Sequence, residues 1–224
     1  GVDPMFVRTE NLRSYIRLYP VNSAILLICI VFFVVMTLSG GTSDSETLLR
    51  FGAFISPFPD SEWRQYSVDL WGGSLDFIRF VTSIFIHIGF SHLLFNGFSI
   101  FVFAPELERL FGHIRYAIFF IVTGIAGNLA SHLVAASRPF EGFTLSAGAS
   151  GSIFGIFGAY LALVVLRRAF IDKGTYTTIV TLVVMGAIYS FIVPNVSWQG
   201  HLGGFLAGFI WMAALLQIKG ARRR

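Results

Sequence analysis

Six apolar stretches, near Val21–Leu38, Val81–Ala104, Ile114–Ala136, Ser150–Leu166, Tyr176–Val193 and Gly200–Ile218, decide what this chain can become. An α-helix rises 1.5 Å per residue, so about 20 apolar residues cross the roughly 30 Å hydrocarbon layer of a bilayer. In lipid, each backbone N–H and C=O must find a partner inside the protein, which makes helices the solution for runs of this length. The expected fold is therefore all-α, a polytopic bundle of six transmembrane helices. Charged residues make up only 12% of the chain, with 25 Phe and 23 Gly, where a soluble domain carries about 25% charged. The chain reads as an N-terminal tail over 1–19, one membrane domain over 20–219 and a basic tail over 220–224. Residues 1–4 read as an expression remnant ahead of Met5, and no cleavable signal peptide is evident.

Basic residues set the expected orientation. With the N-terminus cytoplasmic, Arg8, Arg13, Arg17, Arg109, Arg115, Arg167, Arg168, Lys173, Lys219 and Arg222–Arg224 lie inside, 12 of the 16 Lys and Arg. Arg50, Arg64, Arg79 and Arg138 then lie outside. The positive-inside rule favours this arrangement, with both termini cytoplasmic and an even number of spans. The net charge of +4 thus reads as topology anchoring, and no basic groove with interleaved aromatics suggests nucleic acid. The lone Cys29 excludes an internal disulfide framework and a cysteine-based zinc site. Between the first two runs, about 40 residues from Ser39 to Phe80 interleave Phe54, Phe58, Trp63, Tyr66 and Trp71 with Asp60, Glu62, Asp69 and Asp76. Amphipathic rings prefer the membrane interface, so this long first loop is expected to rest there.

Polar groups inside spans are expensive, so each is a candidate for function. The runs hold His87, His92, Asn96, Asn128, His132, Ser150 and His201, and no Asp, Glu, Lys or Arg lies deep within the third to sixth. Ser150 sits in Gly148-Ala149-Ser150-Gly151, a small-residue turn leading into a helix. The first N–H groups of a helix lack intrahelical partners and could hold an oxyanion. Serine needs a base to become a nucleophile. His201, in Gly200-His201-Leu202-Gly203-Gly204, lies at the outer end of its run, as Ser150 does, so the two can share a depth. Gly151, Gly155 and Gly158 on one helix, and Gly200, Gly204 and Gly208 on the other, recur at three- or four-residue spacing. Such spacing lets membrane helices pack closely. It is equally the pattern of generic helix packing, with Ser150 as one more small residue. His92 and Asn96 are four apart and share a face, where both can donate hydrogen bonds. His87 would lie about 140° from His92 round one helix and is expected to be structural, outside their site. His132 is expected to face the interface, and His113 lies in an inner loop without signal.

Together, Gly148-Ala149-Ser150-Gly151, His201 with Gly204 and Gly208, and His92-x-x-x-Asn96 resemble a rhomboid protease of the six-span bacterial type. The resemblance runs from about Tyr15 to Lys219. It implies an intramembrane serine endopeptidase that cuts single-span or polytopic membrane proteins in or near a transmembrane segment. By that resemblance Ser150 is the nucleophile and His201 the general base of a dyad. His92 and Asn96 would help the Ser150 N–H hold the oxyanion, with Gly148, Gly151, Phe154 and Gly204 in support. No metal, nucleotide or other cofactor is implied. Arg79 and Glu108 match positions read as structural. Phe154 stands where some members carry tyrosine, and Gly200 where some carry alanine; neither change removes a catalytic group. The implied setting is a multi-pass protein of a bacterial inner membrane.

Three other readings compete. A rhomboid-like pseudoprotease would bind membrane clients without cutting them, but such proteins usually lack the Ser or the His. An intramembrane metalloprotease on His87, His92 and His201 would need a motif such as His-Glu-x-x-His, which the chain does not contain. A small transporter or channel would be expected to carry intramembrane charges.

Overall fold

The computed structural model describes residues 6–57, 76–139 and 142–221. Asn11 accepts the Ser14 N–H at 2.9 Å and caps α1 (Leu12–Leu18). Pro20 opens α2 (Pro20–Ser39), at the position where a missing N–H has no intrahelical partner to lose. The next two donors, Val21 and Asn22 N–H, reach the Glu108 carboxylate at 3.0 and 2.9 Å. Glu108 is fully buried, and an acid at a helix N-terminus both satisfies these donors and complements the helix dipole. This is the form that the structural role expected of Glu108 takes. His113 is not a silent loop residue: it opens α7 (His113–Ala136) and its Nδ1 lies 2.7 Å from Glu108 Oε1.

Between these elements come α3 (Ser45–Phe51), β1 (Phe54–Ser56), the short α4 (Arg79–Thr82), α5 (Phe90–Phe103) and α6 (Pro105–Phe111). After α7 come β2 (Thr144–Ser146), α8 (Ser150–Leu166), α9 (Lys173–Ile192) and α10 (Trp198–Ala221). Among the described residues, α2, α7, α9 and α10 are each long and apolar enough to cross a membrane. α5 and α6, bent by 46°, make a fifth span if counted as one, and the apolar α8 is shorter at 17 residues.

The second apolar run differs from the expected continuous helix over Val81–Ala104. α4 stops at Thr82, and α5 begins only after Gly89, held at φ +79°. Tertiary partners have taken the carbonyls there: Ser83 O accepts the Gly148 N–H at 2.8 Å and Phe80 O accepts Asn128 Nδ2 at 2.9 Å. Of the first loop, Phe54 is fully buried against Phe80 rather than interfacial. Arg79 is buried too, donating to Leu49 O at 2.8 Å and Ala53 O at 3.2 Å. Phe58, Trp63, Tyr66 and Trp71, with Asp60, Glu62, Arg64 and Asp69, lie outside the described residues, as do Gly1–Pro4, Arg222–Arg224 and the side chain of Asp76.

α8 is the central element, with 10 of its 17 residues buried. It packs most extensively against α10 and also against α7 and α9. The glycine ladders make this possible. A Cβ on Gly208 would stand 2.7 Å from Gly155 Cα, and one on Gly204 would stand 3.2 Å from Gly151 Cα. The two backbones therefore touch along successive turns.

Candidate active site

Ser150 opens α8, and the loop before it is tied down at three levels. β2 pairs antiparallel with β1, setting Phe54 opposite Ser146 and Ser56 opposite Thr144. Gly148 N–H donates to Ser83 O, and Ala149 N–H donates to His87 Nε2 at 3.4 Å. Gly148 itself sits at φ +131°, and a Cβ there would stand 2.7 Å from His92 Nε2 and 3.2 Å from Asn96 Nδ2. Both the dihedral and the crowding require glycine. As the first residues of a helix, Ser150, Gly151 and Ser152 carry N–H groups with no intrahelical acceptor.

Asn96 is buried, and its Nδ2 has no hydrogen-bond partner among the described residues. An unused buried donor costs about 1–3 kcal/mol. This one lies beside the backbone just before Ser150, so the arrangement is suited to an incoming acceptor.

His201 enters from α10 and is only 4% exposed. Its ring stacks on Phe154 at 3.9 Å between centroids and 9° between planes. Gly186 on α9 leaves room for that phenyl ring, since a Cβ there would stand 3.2 Å from it. Ser190, also on α9, places its Oγ 2.6 Å from His201 Nδ1. Ser150, Gly151, Gly148 and His201 line one cavity of about 40 Å³, room for a few waters. Ser131, Ser146 and Ser197 line both this cavity and a wider cleft of about 560 Å³.

The residues singled out in the sequence thus gather as one group, with His92 and Asn96 on the Gly148 side and Phe154 on the His201 side. His87 requires a correction. Its ring lies 5.2 Å from that of His92, and it holds the Ala149 N–H. The 140° separation assumed one unbroken helix, and the chain turns between the two residues instead. Ser190 was not singled out; the available signal was a serine near the C-terminal end of a span, 11 residues before His201.

The rhomboid domain family matches residues 74–218. YdcA of Bacillus subtilis, a chain named among the rhomboid proteases, is 35% identical over 222 residues, covering 97% of this chain and all of that one. The rhomboid protease GluP of the same organism is 33% identical over 187 residues, 83% of this chain and 33% of GluP. RHOMBOID-like protein 5 of Arabidopsis thaliana is 34% identical over 140 residues, 62% of this chain and 44% of that protein. With these matches and its apolar helices, the chain belongs to the rhomboid family of intramembrane proteases.

Proposed function

We propose that this protein is an intramembrane serine endopeptidase working through a Ser150–His201 dyad. The observation that carries the reading is the small cavity lined by both residues, with an unused Asn96 donor beside the same loop. His201 takes the Ser150 hydroxyl proton as the oxygen attacks the scissile carbonyl carbon. The negative charge on the carbonyl oxygen is received by the Ser150 N–H and by Asn96 Nδ2, with His92 alongside. The tetrahedral adduct collapses, the amine leaves with the proton from His201, and the substrate acyl group stays on Ser150. Water from the cleft then gives a proton to His201 and its hydroxyl to the ester, and Ser150 leaves with that proton. No step calls for a metal or a nucleotide.

The substrates proposed are single-span or polytopic membrane proteins, cut in or near a transmembrane segment. A helix engages its carbonyls in backbone bonds, so a Gly or Pro that weakens the substrate helix should speed cleavage. The six-span count follows if α8 and the bent α5–α6 pair both count as spans. The proposed orientation puts both termini in the cytoplasm of a bacterial cell. Arg8 and Arg109 meet Glu106, and Arg167 meets Leu216 O, which gathers arginines at the end of the bundle away from Ser150.

The test is labelling of purified protein by a serine-directed fluorophosphonate, run beside cleavage of a panel of single-span proteins with mass mapping of the cut. Labelling and cleavage should both vanish in Ser150→Ala. Cleavage should vanish in His201→Ala while the fold is retained. Cleavage that survives Ser150→Ala would overturn the proposal.

A further inference from the structure

The dyad has a third partner. We infer that Ser190 is a positioning residue that fixes which nitrogen of His201 carries the proton; this rests on His201 being the base. Ser190 is buried at 5% exposure, and its Oγ has two neighbours: His201 Nδ1 at 2.6 Å and Gly186 O at 2.8 Å. A hydroxyl has one proton to give and lone pairs to receive with. Gly186 O can only accept, and serine in a membrane helix habitually donates to the carbonyl four residues back. With its proton on Gly186 O, Ser190 faces His201 as an acceptor. His201 must then hold its proton on Nδ1, which leaves Nε2 as the basic nitrogen.

The ring's orientation is fixed by the same contacts. Phe154 stacks flat on one face, which leaves rotation in the ring plane to be stopped by an in-plane partner. Ser190 is that partner. When His201 takes up a proton during reaction, Nδ1–H becomes a charged donor, and its bond to Ser190 strengthens. The bond also ties α9 to α10 across the short connection after Ile192, so the histidine's geometry depends on where α9 stands. Ser190 touches no reacting atom; it acts through His201.

Two measurements test this. In protein carrying ¹⁵N-histidine, with the His201 signals assigned by their loss in His201→Ala, the resting ring should be the Nδ1–H tautomer. Ser190→Ala should lower kcat about tenfold, equal to about 1.4 kcal/mol, with KM little changed and a modest fall in melting temperature from the buried Nδ1–H left without its acceptor. Ser190→Thr, which keeps a hydroxyl, should recover at least half of the lost rate. An Nε2–H tautomer in the wild type, or kcat within twofold of wild type in Ser190→Ala, would overturn the inference. His201→Ala separates the two levels of the argument. Activity in that variant refutes the dyad itself, whereas an inactive His201→Ala beside a fully active Ser190→Ala refutes only the role of Ser190.

Discussion

The interface between α8 and α10 can be opened by one methyl group. In Gly208→Ala the new Cβ would stand 2.7 Å from Gly155 Cα and 2.6 Å from Gly155 C. Carbon atoms rest at about 3.5–4.0 Å, so the two backbones must part by about 1 Å. Nothing flexible can give way, because the atoms met are main chain. Gly208 lies seven residues after His201 on the same helix, so a shift of α10 there carries the imidazole away from Ser150. A misplacement of about 1 Å in a catalytic group can cost about 100-fold in rate, while overpacking costs about 1–3 kcal/mol of stability. The assay is cleavage of a single-span substrate at saturating concentration, with thermal unfolding in the same detergent. kcat should fall about 100-fold in Gly208→Ala, and the protein should remain folded. Gly97→Ala is the control: among the described residues its Cβ would meet only Leu26 Cδ2, at 3.8 Å, and kcat should stay within twofold. A Gly208→Ala enzyme with more than a third of the wild-type kcat would refute the idea that backbone contact between the two helices sets the dyad.

Glu108→Ala should destabilise the fold by at least about 3 kcal/mol, because Val21 and Asn22 N–H lose a charged acceptor and such bonds are worth about 1.5–3 kcal/mol each; denaturant unfolding of Glu108→Gln should show roughly half that loss. Phe154→Ala should lower kcat three- to tenfold, since an aromatic pair is worth about 0.5–1.5 kcal/mol, while Phe154→Tyr should stay within twofold in the same cleavage assay. Asp44 accepts the Thr47 N–H and hydroxyl, each at 2.8 Å, and these bonds hold its carboxyl below the ordinary 3.8. A depressed carboxylate stabilises the fold above its ordinary range and loses that contribution as pH falls through the folded value. Asp44→Asn should therefore lessen the acid-side slope of a stability–pH curve, and an unchanged slope would count against the cap.

The long helices were legible because a bilayer demands length and apolarity, and both are visible in a string of letters. Ile114–Ala136 and Ser150–Leu166 reappear as α7 and α8 with ends within a residue. The break before Gly89 was not legible. The residues there remain mostly apolar, and the carbonyls freed by the break are taken by a pair of distant donors, Gly148 N–H and Asn128 Nδ2. The three-residue strands were too short to leave a period. Ser150 and His201 stood out because glycine surrounds both. Ser190 did not, because a serine bonded to its own helix reads as filler until the chain folds back and sets His201 beside it.

His87 and Asn96 show why the site is where it is. At the far end of the bundle, buried Glu108 meets two N–H groups and His113, and Asn22 Oδ1 meets the Tyr116 hydroxyl at 2.7 Å. That end satisfies its carboxylate with partners from two helices, α2 and α7, although Asn22 Nδ2 has no partner among the described residues. Beside Gly148 the fold stops short. His87 spends Nε2 on the Ala149 N–H and leaves Nδ1 unpartnered among the described residues, and Asn96 Nδ2 is likewise unpartnered. In a low-dielectric interior an unsatisfied donor is costly in the resting state and strong toward a charge that arrives. Donors fixed in advance need no reorganisation when an oxyanion forms. Replacing Asn96 by leucine should therefore leave the protein at least as stable while removing most of its activity, and a marked loss of stability would mean that the donor was already engaged at rest.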